Sequence, residues 1–157
     1  MPTPLLKTPS YESYFHEIQP IEHSDDIISD LYQTSFRSFV FSENQPPLTI
    51  RQTSHSLSKL GSSIWSSSLA LASYLITHPE LISNKNVLEL GSGLALPSIL
   101  SSRLNAKSVT ATDYWTDEET DRLIPKEMYK DAIEYNIRIN EIQNCKVEKL
   151  GENHFFN

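Results

Sequence analysis

Glu89, Gly91, Gly93 and Asp113 are the residues of this chain whose types and spacing could do chemistry. Glu89 sits near the end of a short apolar run, Asn86-Val-Leu-Glu-Leu90, and Gly91-Ser92-Gly93 follows at once. Two glycines around one residue let the backbone bend sharply and approach a ligand with no Cβ in the way. Asp113 comes 24 residues after Glu89, at the end of the next β-branched run. An acid about 20 residues past a glycine-rich turn can accept hydrogen bonds from ribose hydroxyls. It can equally cap the turn that follows its strand. A tight strand-to-helix turn can also use Gly-x-Gly with no ligand at all.

The surrounding residues narrow the ligand. A dinucleotide fingerprint reads G-x-G-x-x-G, but Leu96 stands at the third glycine position. Glu89 at the strand tip would repel a pyrophosphate, which disfavours a nicotinamide-type oxidoreductase. A ligand carrying an ammonium and a sulfonium would be favoured, and S-adenosylmethionine has both. Tyr114-Trp115 could stack on an adenine or simply cover a loop. Other chemistries find no support. The five histidines and Cys145 make no metal-ligand spacing. No G-x-S-x-G occurs, and Ser62, Ser66 and Ser92 lack a recognisable base partner. Cys145 reads as a small apolar residue. The acidic run Asp117-Glu118-Glu119 reads as a solvated loop that could also meet a basic protein.

The elements that must position these residues follow from pattern. Val87–Leu90 is an apolar run, as in a buried parallel strand. Pro97 suits the first turn of a helix, because its φ is preset and its missing N–H would be unpaired there anyway. Val109–Thr112 and 145–150 predict two further strands, and Met128, Ala132, Tyr135 and Ile139 repeat at helical spacing. Upstream, Trp65, Leu69, Ala72 and Ile76 predict a helical stripe that His78-Pro79 ends. That stripe makes core packing the default role of Trp65. Phe39–Phe41 and 48–53 predict a hairpin around Glu43–Pro47. Six of the nine prolines fall in residues 1–47, and the first ten or so residues read as a loose tail.

Composition sets the frame. At 157 residues the chain is one domain at most, short for a complete doubly wound enzyme. A formal net charge of −7 leaves no basic footprint for nucleic acid or an anionic membrane. The longest apolar-leaning stretch, 69–76, is too short to span a bilayer, and residues 1–20 lack the regions of a signal peptide. One cysteine excludes an internal disulfide framework. These features predict a soluble, cytoplasmic chain.

The ordered set is more specific than any single motif. Gly61-Ser-Ser-Ile-Trp65, Asn86-Val-Leu-Glu-Leu-Gly-Ser-Gly-Leu-Ala-Leu-Pro-Ser98, Val109-Thr-Ala-Thr-Asp113-Tyr and Asn136-x-x-x-Asn140 resemble the lysine-methyltransferase-like branch of class I S-adenosylmethionine-dependent methyltransferases. The match covers roughly residues 48–150. The resemblance implies an α/β, Rossmann-like fold with an incomplete sheet and an N-terminal β-hairpin. It divides the chain into a lead-in, 1–37, and the N-terminal part of a methyltransferase domain, 38–157. It implies S-adenosylmethionine as cofactor, methyl transfer to a protein lysine, and cofactor contacts from Trp65, Glu89, Gly91, Ser92, Gly93, Asp113 and Tyr114. It gives no chemical role to Asn136 or Asn140. The chain departs from the family at 150–156, which lacks the usual tryptophan, and the strands that finish the family's sheet have no counterpart before Asn157. The alternative is therefore a truncated, non-catalytic module that binds cofactor or a protein partner.

Overall fold

The computed structural model describes residues 15–19, 34–53, 63–114 and 127–150. Among them six strands form two three-stranded sheets. The first is antiparallel, in the order β1 (His16–Ile18), β2 (Thr34–Val40) and β3 (Leu48–Thr53). Pro46-Pro47 lack backbone donors, so pairing stops there and the chain turns back. Phe39 pairs with Leu48 and Thr34 with Thr53 across the hairpin. Phe39, Leu48 and Ile50 are buried, and Phe39 stacks on Phe15 at 4.9 Å. The predicted hairpin is present, but β2 starts at Thr34 and β1 adds a third strand inside the segment read as a lead-in. The inward Ser38 of β2 hides that strand's apolar alternation; it is buried by a hydroxyl–hydroxyl bond to Thr49 at 3.0 Å.

Next comes α1 (Ser66–Thr77), with Trp65 as its N-cap residue and His78 as its C-cap. A 3-10 turn, Pro79–Leu81, leads into β4 (Asn86–Leu90). Then α2 (Leu96–Arg103) connects to β5 (Ser108–Asp113), and α3 (Glu127–Ile139) to β6 (Cys145–Lys149). These strands are parallel in the order β4-β5-β6, with Glu89 opposite Ala111 and Ala111 opposite Val147. No helix among the described residues is long and apolar enough to cross a membrane.

Strands added one after another in the same direction by right-handed crossovers put their helices on one face. Val87, Ala111, Cys145 and Val147 accordingly join a core with Ile99, Leu100, Ile133 and Ile137. The other face carries Leu88 and Leu90, which are 62% and 57% exposed. The apolar run Val87–Leu90 predicts a buried strand, and these two exposures depart from it. Among the described residues the sheet is covered on one side only, because both crossover helices lie together.

One helix joins the two sheets. Asn136 lies in α3 and Asn140 follows its last residue; four apart, they face the same way, and both are buried. The Asn140 amide accepts from Thr49 N–H at 2.9 Å and donates to Thr49 O at 2.6 Å. The Asn136 amide accepts from Arg51 N–H at 2.8 Å and donates to Arg51 O at 3.2 Å. Thr49 and Arg51 are two apart on β3, so their main-chain groups share one edge. The two amides pair that edge as a neighbouring strand would, and leave no buried N–H or C=O of these residues orphaned.

Candidate cofactor site

Three left-handed residues carry the chain from β4 into α2: Gly91 (φ +67°), Gly93 (φ +53°) and Ala95 (φ +63°). Glycine adopts this conformation without strain, whereas alanine costs about 1 kcal/mol. Nothing in an alanine signals such a backbone, so sequence reasoning fixed on Leu96 as the third fingerprint position and missed Ala95. Leu96 is a buried core residue at the start of α2.

The turn is fastened to the tip of β5. Ser92 N–H donates to Thr112 O at 2.8 Å, and Gly93 N–H donates to the Asp113 carboxylate at 2.5 Å. Tyr114 N–H donates to the other Asp113 oxygen at 2.7 Å. Asp113 therefore caps the turn after its strand and also holds the glycine turn in place. A carboxylate offers about four acceptor sites, and these two contacts leave capacity for hydroxyl donors.

Glu89 has a different setting. It points into the helix-covered face of the sheet, where its carboxylate accepts from Ser98 Oγ at 2.5 Å. Ser98 is the third residue of α2, so Glu89, when ionised, supplies the negative charge that the helix N-terminus favours. Burial is the main reason its pKa rises to about 7; the Ser98 hydrogen bonds oppose the rise and the Asp113 charge adds to it. The end of α2 that could have bound a phosphate is thus already occupied by a carboxylate.

A cavity of about 290 Å³ opens beside the turn. Trp65, Gly91, Ser92, Gly93 and Asp113 all line it, brought together from α1, the turn and β5. Trp65 is half exposed there rather than packed in the core. A neighbouring groove of about 440 Å³ shares Ser67, Ser68 and Gly91 with it and contains Glu89 and Ser98. Tyr114 is exposed next to Asp113 and is not on the cavity wall. Trp115 and the acidic run 117–119 lie outside the described residues. A larger cavity of about 520 Å³, between β2 and α1, lies away from the turn beside the Arg37–Glu17 ion pair.

Two observations test whether the turn suits a nucleoside cofactor. A Cβ built on Gly91 would meet nothing within 4 Å, so the turn presents open space to a ligand. The Ser92 hydroxyl is buried without a hydrogen-bond partner, an unfilled capacity in the same turn. Together with the Asp113 carboxylate these fit an adenosine-bearing ligand, and the occupied helix N-terminus favours one without a pyrophosphate.

The described residues thus form an α/β unit whose parallel sheet ends in a glycine turn and an acid beside an open cavity. Residues 42–150 match the model of the lysine methyltransferase family, and the chain belongs to that family. The family implies S-adenosylmethionine as methyl donor. The chain is 46% identical over 54 residues to the protein N-terminal and lysine N-methyltransferase EFM7 of Candida glabrata, a match covering 34% of this chain and 21% of that protein. It is 38% identical over 88 residues to the Schizosaccharomyces pombe protein of the same name, covering 56% and 31%. Methyltransferase-like protein 23 of Dictyostelium discoideum is 40% identical over 78 residues, covering 47% and 30%. The chain thus spans between a fifth and a third of these curated relatives.

Proposed function

We propose that this chain is the cofactor-binding part of a Rossmann-like, S-adenosylmethionine-dependent protein-lysine N-methyltransferase that acts in the cytoplasm. The observation that carries this reading is the convergence of Asp113, the Gly91–Gly93 turn and Trp65 on one cavity. In this reading Asp113 holds the ribose hydroxyls, and Gly91, Ser92 and Gly93 take the methionine end against the main chain. Glu89, in the neighbouring groove, contributes to the local field and Trp65 walls the cavity. The bound cofactor supplies a methyl already activated by its sulfonium. The protein's task is to place a neutral amine in line with that methyl and to keep water out, mainly a matter of positioning. Relatives named as acting on protein N-termini and lysines support an amine of a protein as acceptor.

Asp113 is the one ionisable residue lining the cavity, so the described residues bring no general base to it. The exposed Leu88 and Leu90 favour a second reading, a non-catalytic module that binds cofactor and associates through its bare sheet face. Calorimetric titration with S-adenosylmethionine, S-adenosylhomocysteine and NAD tests the cofactor. Heat with the first two and none with NAD is expected; no heat with either sulfur compound overturns the assignment. Transfer of labelled methyl to a lysine-containing protein then separates an enzyme from a binding module.

A further inference from the structure

We infer that β3 is a strap that sets the separation of the two walls of the cofactor cavity, with Gln52 and Asn136 as its positioning residues. The inference rests on the cofactor reading and adds a role for the antiparallel sheet, which that reading does not use.

The two walls are held by consecutive residues of one strand. On the α1 side, Ile64 and Trp65 line the cavity, and Ile64 N–H donates to Gln52 Oε1 at 3.3 Å. On the turn side, Leu94 lines the cavity, and its carbonyl accepts from Asn136 Nδ2 at 3.3 Å. The same Asn136 amide is fixed to both main-chain groups of Arg51. Arg51 therefore reaches one wall through Asn136, while Gln52 reaches the other directly. Gln52 and Asn136 do not themselves line the cavity; they act through Ile64 and Leu94. The strand between them is stiff. Its inner edge pairs with β2 from Thr34↔Thr53 to Phe39↔Leu48, and the two asparagines hold its outer edge. Moving Trp65 away from the glycine turn thus requires breaking a hydrogen bond or shifting a paired strand. Binding sites gain affinity when such ordering is completed before the ligand arrives.

The variants that test this are Gln52→Met, which keeps length but removes the acceptor, and Gln52→Glu, which keeps an acceptor. The full chain is titrated with S-adenosylhomocysteine, melted thermally, and followed by amide hydrogen exchange at Ile64. Gln52→Met is expected to bind about five- to tenfold more weakly, the equivalent of one neutral hydrogen bond, and to exchange the Ile64 amide faster. Its melting temperature should move by less than about 4 °C. Gln52→Glu should bind within about twofold of the parent, since an acceptor to Ile64 N–H remains. Equal affinity of the parent and Gln52→Met, equal loss in both variants, or unchanged Ile64 exchange overturns the strap while leaving the cofactor reading intact. A parent chain that binds no S-adenosylhomocysteine overturns the cofactor reading, and the strap falls with it.

Discussion

Replacing Asn140 by leucine tests the junction between the two sheets directly. The substitution removes the acceptor for Thr49 N–H and the donor for Thr49 O, at a residue only 4% exposed. The Asn136 carbonyl, which the Asn140 amide also contacts, keeps its bond from Asn140 N–H at 3.3 Å. Two main-chain groups are therefore orphaned. Each costs about 1–3 kcal/mol when buried without a partner, or about 2–6 kcal/mol together. The apolar side chain recovers about 1.5–3 kcal/mol if it packs. The net expectation, taken from the middle of each range, is a loss of about 2 kcal/mol, a large share of the 5–15 kcal/mol typical of a domain. Asn136→Leu orphans three groups, Arg51 N–H, Arg51 O and Leu94 O, and should cost about 1–3 kcal/mol more. Urea unfolding monitored by tryptophan fluorescence measures both, with the slope m held as a check on two-state behaviour. A loss under about 0.5 kcal/mol for Asn140→Leu, a value typical of an uninvolved surface site, refutes the argument. So does a larger loss at 140 than at 136.

Burial raises the Glu89 pKa from 4.5 to about 7, so the native chain holds a proton that the unfolded chain releases. Stability from this group is full below about pH 4.5 and is lost as pH rises through about 7, some 3 kcal/mol in all. Glu89→Gln should flatten that profile, and urea midpoints at pH 5 and pH 8 that shift in parallel with the parent count against it. The Cys145 thiol is pushed up to about 11, first by burial and then by the Glu89 charge. Alkylation at pH 8 should accordingly run at least about a hundredfold slower than that of an unperturbed cysteine, and a rate equal to that of a model thiol contradicts the burial. Gly91→Ala should cost about 1 kcal/mol in stability through its positive φ. It should weaken S-adenosylhomocysteine binding far more, because the new methyl enters the open space before the turn; intact binding would place the ligand elsewhere.

The parallel half was legible in the sequence because its signals are local. Apolar runs, a Gly-x-Gly turn, a proline in the first turn of α2 and a strand-ending acid each act within a few residues. The antiparallel half was only half legible. β1 is three residues long, His-Glu-Ile, with two of them exposed, and β2 buries Ser38 where an apolar residue would have marked the pattern. Asn136 and Asn140 stood out as a pair, but their partners are 85 and 91 residues away, so no local pattern could give their role. The exposure of Leu88 and Leu90 was equally hidden. Burial of a leucine depends on what covers its face, and that is a property of the assembled layers.

In the proposed reading a single strand residue, Glu89, selects among ligands that share a fold. Helix N-termini after glycine turns attract anions, which is how dinucleotide sites hold a pyrophosphate. Here the carboxylate is bound to Ser98 in the first turn of α2, so the charge that would recruit a phosphate is already met from inside the protein. A second anion nearby would face Glu89 and Asp113 together. A sulfonium with an ammonium would face the same two groups with the opposite sign, and its presence would favour the ionised form of Glu89. The proposed cofactor preference and the expected pH dependence of stability would then share one cause, a carboxylate placed where burial disfavours its charge. A cation bound beside it should lower the Glu89 pKa, so that S-adenosylmethionine stabilises the chain more strongly at pH 8 than at pH 5. Thermal shifts with S-adenosylmethionine, set against those with the neutral-sulfur S-adenosylhomocysteine at both pH values, isolate this effect. An equal pH dependence for the two ligands would show that the sulfonium does not sense Glu89.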